Sequence, residues 1–226
     1  MSAAPSVARV CMRHHVRDAI VSRILDGTYP AGERLKELAL AKEFNVSQAP
    51  VREALRELEA LRLVQTEHYR GTRVRAIDVA ELRQAYELRL LIEQAAVRRA
   101  IPCARADLDT LEDEIKAMQR VAPSRDIETH MASVLRFHRK LVEMSRNDLF
   151  VRAWESMAWD VRARVAVKRI GLSSAAVQRE YVQRRRRIVK ARRTGDGDSA
   201  AASLAEITQG LLARLSALEP PAARAA

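Results

Sequence analysis

The chain has 226 residues, 48% hydrophobic and 31% charged, which is enough for two modest cores. Only 4% are aromatic and Gly and Pro number seven each, so a helix-rich fold is favoured over a β-sandwich, while the net charge of +11 points to polyanionic partners such as nucleic acid. Two cysteines, Cys11 and Cys103, stand far apart in no metal-like spacing, and no apolar run reaches the ~20 residues of a membrane helix; a disulfide framework and a membrane span are excluded, and a cytoplasmic location is expected.

After a loose tail at residues 1–8, helical spacing runs from about Ala8 to Leu25 through Val10, Val16, Ala19, Ile20 and Ile24. Turn residues crowd together from Asp26 to Gly32 and break it. Leu38 to Leu55 then reads as two short helices joined by a tight turn. The first carries Leu38, Ala41 and Phe44 on its apolar face, and Asn45 suits the turn because it tolerates a left-handed backbone. Ser47 is placed to N-cap the second helix, with Pro50 in its first turn where a missing N–H costs nothing. Val51, Leu55 and Leu58 face inward, and Gln48, Arg52 and Arg56 project outward. A short helix presenting long polar side chains from its first two turns is what reading a major groove requires. Past Leu63, residues 64–76 alternate loosely about Tyr69-Arg70-Gly71-Thr72, which predicts a small hairpin. Helix, helix-turn-helix and hairpin make a winged helix over residues 9–76.

From 77 to 219 no strand is expected. Amphipathic helices fall at about 79–100, 105–121, 126–145, 147–168, 174–193 and 198–218, with breaks at 101–102, 122–124, 145–147, 171–174 and 194–197. Short connections between six helices predict an antiparallel all-α bundle, followed by a frayed tail at 220–226. Residues 1–76 hold 13 Lys/Arg against 9 Asp/Glu and the remainder 27 against 20, so the positive excess is not confined to the reading head.

Three of these helices interrupt an apolar stripe with a cation-capable side chain. Arg89 lies among Leu82, Ala85, Tyr86, Ile92 and Ala96; His138 among Met131, Val134, Leu135, Leu141 and Val142; Arg185 among Tyr181, Val182, Ile188 and Val189. A buried charge without a partner is costly, so something must answer these groups. Three answers stay open: an anionic ligand, internal carboxylates such as Glu93 or Glu155, or solvent exposure. Arg56 and Arg62 read as solvated or phosphate-neighbouring, the run Arg184, Arg186, Arg187 as a solvated face, and Arg73 and Arg75 as either phosphate neighbours or plain surface. Trp154 and Trp159 are expected on one helix, as core or dimer packing. His14, His15, His68 and His130 form no cluster, with His130 expected on a helix surface.

Gly32-Glu33-Arg34-Leu35, Leu38-Ala39, Val46-Ser47, Pro50-Val51-Arg52-Glu53-Ala54-Leu55, Leu58, Leu61 and Arg70-Gly71-Thr72-Arg73-Val74 together resemble the GntR transcriptional regulators of the FadR-like subgroup. Tyr86 to Glu93, Phe137-His138 and Asn147 are similar to the all-helical effector domain of that subgroup, called FCD. The resemblance spans nearly all of residues 9–215. It implies a ligand-responsive regulator, usually a homodimeric repressor on a palindromic operator in double-stranded DNA, with Ser47, Gln48, Pro50 and Arg52 of the second helix and Arg70 and Gly71 of the wing touching DNA.

Two departures matter. The position after Ser47 is commonly Arg in the family, and Gln48 pairs better with adenine N6 and N7 than with guanine. Many FCD domains hold a divalent metal through an Asp and three His; the matching positions here are Val134, His138, Arg185 and Ile207, so no metal cofactor is expected. Arg185 is then expected to grip a small anionic, carboxylate-type effector directly, with Arg89 and His138 completing the site. No nucleophile elbow, phosphate loop or acid/base pair appears, so the chain is not expected to be an enzyme. The remaining alternative is a constitutive or architectural dimeric DNA binder with no effector.

Overall fold

The computed structural model describes residues 7–67, 70–76, 78–99, 103–121, 126–170 and 175–217, apart from the side chains of 7–11, 127, 168, 169 and 175. The expectations for the two chain ends, for Tyr69 and for the breaks at 101–102, 122–124 and 171–174 lie outside the described residues. The chain divides into two units between residues 77 and 78.

The first unit runs α1 (Val7–Asp26), β1 (Arg34–Leu35), α2 (Glu37–Glu43), α3 (Gln48–Ala60), β2 (Val64–Glu67) and β3 (Gly71–Val74). Val16 and Ile20 of α1 and Val51, Leu55 and Leu58 of α3 are buried where the two helices pack. α2 ends in a paired Schellman pattern. Val46 N–H donates to Ala41 O at 2.9 Å and Asn45 N–H to Lys42 O at 3.3 Å, with Asn45 at φ 53 as the sequence led us to expect. α3 ends in the same way around Arg62, at φ 57. The strands form one antiparallel sheet in the order β1-β3-β2, pairing Val64 with Val74 and Arg34 with Arg73. β1 was not visible as a strand: two residues carry no period, and it is held by Val74 donating to Glu33 O and Gly32 donating to Val74 O.

Two local expectations are corrected. Ala41 is buried as expected, but Leu38 is 70% exposed, and Leu40 is buried in its place. A seven-residue helix makes too few turns for its stripe to be phased from sequence. Ser47 takes the extended backbone of an N-cap, but its side chain makes no capping bond. A cap accepts from the second or third helical N–H, and Pro50, at the third position, has none.

The second unit is a helical bundle: α4 (Val79–Arg99), α5 (Arg105–Arg120), α6 (Ile127–Glu143), α7 (Asp148–Glu155), α8 (Trp159–Ile170), α9 (Ala175–Arg193) and α10 (Gly197–Ser216). α10 packs on α4 and α9, where Ala200, Ala201 and Leu204 are fully buried, and α5 packs on α6 and α9. Asp126, Asn147 and Asp196 cap α6, α7 and α10 through their side chains. The single helix expected over 147–168 is two, because Ala158 adopts φ 48 and ends the α7 register. Arg162 Nη1 secures the break by donating to Met157 O at 2.6 Å. Trp154 and Trp159 therefore sit on separate helices, their rings 6.4 Å apart. No helix among the described residues is long and apolar enough to cross a membrane.

Leu58 is fully buried and Leu38 is not. Leu58→Ala is expected to cost ~2–5 kcal/mol in equilibrium urea unfolding, whereas Leu38→Ala should stay within about 0.5 kcal/mol of the parent.

Candidate functional site

On the first unit, Ser47, Gln48 and Arg52 are exposed and Pro50 is half-buried. Gln48 and Arg52 are four residues apart on α3 and so share one helical face. The α2 residue Glu37 braces Arg52: Nε donates to Oε2 at 3.1 Å and Nη2 to the same oxygen at 3.0 Å. Arg70 is exposed at the hairpin turn beside Glu67, and Gly71 takes φ 78 there. A Cβ on Gly71 would come within 3.3 Å of Arg34 Nε, the end of a flexible side chain that can give way, so it is the positive φ that makes the turn need glycine. Arg73 donates to Gly32 O at 2.9 Å and Arg75 to Arg62 O at 3.3 Å, so both flanking arginines brace the wing against neighbouring backbone.

In the second unit, Arg89, His138 and Arg185 all line one cavity, together with Val134 and Ile207. The group that organises them is Glu93, only 1% exposed. Arg89 Nε donates to Glu93 Oε1 at 2.6 Å, Trp154 Nε1 to the same oxygen at 3.0 Å, and His138 Nδ1 lies 2.9 Å from Oε2. The Arg89 guanidinium also stands over the Trp159 ring at 4.7 Å. Glu93 was named from sequence only as one possible partner; its hub position depends on Trp154, and sequence spacing gives no sign of that contact. Glu155, the other candidate, pairs with Arg139 at 2.7 Å on the surface.

Burial alone would push the Glu93 carboxyl up, but Arg89 and His138 together outweigh it and hold it at about 2. Burial, then the nearby Arg89 charge, pushes His138 down to about 4 against the opposing pull of Glu93. At neutral pH, then, His138 is uncharged: its Nδ1–H donates to Glu93, leaving Nε2 to accept from Arg185 Nη2 at 3.4 Å. Arg185 is buried and forms no ion pair among the described residues, and its Nε has no hydrogen-bond partner. Burial and the Arg89 charge lower its pKa to about 10, which leaves it cationic. Arg89 thus has the internal carboxylate that one reading of the sequence required, and Arg185 does not.

His130, expected on a surface, is buried and lines the same cavity, its Nδ1 3.2 Å from Met118 O of α5. The apolar neighbours that cover it come from the α5–α6 packing, which the α6 sequence alone does not contain. The donor set suits a divalent metal poorly. Val134 and Ile207 offer no donor atom, Arg185 is a cation, and both His138 nitrogens are engaged within the protein.

Comparison with known proteins agrees with this two-part layout. Residues 12–74 match the model for bacterial regulatory proteins of the gntR family, and residues 84–210 match the FCD domain. The chain is 32% identical over 194 residues, covering 86% of it and 84% of the other, to the "Probable D-xylose utilization operon transcriptional repressor" of Paenarthrobacter nicotinovorans. It is 28% identical over 206 residues to the transcriptional regulator LutR of Bacillus subtilis strain 168, covering 82% of this chain and 93% of that one. The solved structure of E. coli McbR/YncC has the same fold, with a TM-score of 0.74 at 22% identity over 91% of this chain and 97% of the other.

His138 and Glu93 both hold a proton more weakly in the folded chain than in the unfolded one, so the unfolded chain takes up protons first as pH falls. The stability linked to them is complete above pH 6.5, erodes through His138 down to about 4, and then erodes through Glu93 from 4.5 to about 2. The melting temperature is expected to fall between pH 7 and pH 5. His138→Asn, which keeps a donor for Glu93 but cannot titrate, should shrink that fall. It should not abolish it, because His130 is also lowered by burial and by Arg185.

Proposed function

The chain belongs to the gntR family of bacterial regulatory proteins with an FCD domain, and is a DNA-binding transcriptional regulator rather than an enzyme; from that premise we propose that it acts as a cytoplasmic homodimeric repressor, released from a palindromic operator by a small anionic effector held at Arg185, Arg89 and His138. The observation that carries the effector reading is Arg185, a buried guanidinium that lines a cavity and has no ion-pair partner among the described residues. For the homodimer, the exposed Leu88 and Leu91, three residues apart on α4, are apolar surface that a second copy would cover.

At the operator, each α3 enters a major groove. Gln48 reads adenine through N6 and N7, and Arg52, held by Glu37, is free to turn its outer edge to guanine. The unused Ser47 hydroxyl is available to a phosphate, as is Arg70 at the wing tip. Pro50 fixes the first turn, and Gly71 lets the wing turn tightly. An effector can shift this binding only by its difference in affinity between the bound and released arrangements.

Two experiments test the proposal. In selection from random DNA, the parent should enrich adenine at the half-site base facing Gln48, and Gln48→Arg should change that base to guanine. Enrichment of guanine by the parent would refute the assignment. With the selected operator followed by fluorescence anisotropy, millimolar butyrate or benzoate should release the parent. Arg185→Ala should bind the operator as tightly and ignore both compounds. Release of neither protein would favour the constitutive binder.

A further inference from the structure

We propose that Cys103 is a modification site, where hydroperoxides oxidise the sulfur beside the buried guanidinium of Arg192. Neither residue lines the cavity that Arg185 lines, so this site is independent of the effector reading.

Arg192, in the last turn of α9, is the largest of the fully buried side chains, at 1% exposure. Its Nη1 donates to Val97 O near the end of α4 at 2.6 Å, and its Nη2 donates to Cys103 Sγ. Its Nε has no hydrogen-bond partner, and the guanidinium forms no ion pair among the described residues. A cation taken out of water is costly unless strong acceptors or an anion answer it. One carbonyl and one sulfur are a poor answer, because thiol sulfur accepts weakly. An oxygen placed on that sulfur would accept better, and Nη2 already points to where it would be.

The sulfur is also within reach of a reagent. Cys103 is half-buried in the connection ahead of α5, and Ala104 and Arg105 beyond it are exposed. Reactive cysteines stand in electropositive, partly exposed surroundings, whereas buried structural ones are inert. The sulfur attacks one oxygen of the peroxide. An S–O bond forms and the O–O bond breaks. The thiol proton goes to the departing oxygen, which leaves as water when the oxidant is hydrogen peroxide. The sulfur is oxidised to a sulfenic acid and the peroxide is reduced. Charge that builds on the reacting atoms during this step forms against a guanidinium already stripped of water. The product competes with Val97 O for the same guanidinium, so oxidation bears on the tie between α9 and α4.

The test uses the full chain with Cys11→Ser, which leaves Cys103 as its only thiol. Hydrogen peroxide is added, and the sulfenic acid is trapped with dimedone and followed by mass. Cys103 should react roughly tenfold faster in the folded chain than in the same chain unfolded in urea. Arg192→Met, shown to be folded by circular dichroism, should lose that advantage; a folded variant as fast as the parent would overturn the proposal. A second reading needs no change at Arg192. The rate of alkylation by iodoacetate relative to uncharged iodoacetamide should be about fivefold higher in the folded chain than in the unfolded one, because the guanidinium attracts the carboxylate. Should Arg192→Met fail to fold, this ratio and the folded-to-unfolded peroxide rates decide. A folded sulfur that reacts no faster than the unfolded one, or an unchanged alkylation ratio, would mean that Cys103 only packs against Arg192.

Discussion

The helical unit is organised around a carboxylate that is almost wholly out of water. Glu93 stays ionised there because three donors from three helices converge on it: Arg89 from its own α4, His138 from α6 and Trp154 from α7. Each donor is a planar group with a fixed N–H direction, so the carboxylate constrains where those helices sit as well as how the charge is balanced. Arg185 of α9 joins only at the edge, through the far nitrogen of His138. The asymmetry has a consequence. Two cations approach the cluster and one anion is present; both cations line the cavity, and among the described residues Arg185 is the one left without a paired anion.

Much of this could be read from the residues, and the limits of that reading follow from physical scale. Long amphipathic segments such as α4, α5 and α9 show their period over four or more turns, so their spans were legible to within a residue or two. The inward placement of Arg89, His138 and Arg185 followed from the same stripes. Short elements failed. α2, with seven residues, buries Leu40 rather than Leu38, and the two-residue β1 exists only because β3 supplies its partners. The α7–α8 break is a different kind of failure. Ala158 is an unremarkable residue in a favourable helical run, and its left-handed backbone reflects tertiary packing around Trp154 and Trp159.

The reading head shows how one proline redistributes hydrogen bonds. Pro50 suits an early helical position for its φ, yet it removes one of the two N–H groups a capping serine would use. Ser47 keeps the cap conformation without the cap bond, so its hydroxyl stays exposed at the start of α3. A residue that contributes little to holding the helix is free to contribute to recognition. The turn around Asn45 closes through backbone bonds, and the Arg52–Glu37 pair adds a side-chain tie between α3 and α2, which leaves Gln48 uncommitted to that turn.

An effector that neutralises Arg185 would act on more than that residue. Arg185 donates to His138, and His138 in turn donates to Glu93; a carboxylate competing for the guanidinium would weaken the first contact and alter the hold on the second. Glu93 and Arg89 stand on α4, which begins at Val79, directly after the division between the two units. The bonded path from the cavity to the DNA-binding unit is therefore the helix that carries the buried ion pair. Such a path transmits a signal only if the cluster has two arrangements that the ligand binds unequally; each tenfold difference in affinity supplies about 1.4 kcal/mol toward one of them. A hub whose hydrogen bonds are complete before the ligand arrives suits that role, because any movement that admits a carboxylate to Arg185 must be balanced against intact bonds at Glu93, and bonds that break together favour two states over a continuum.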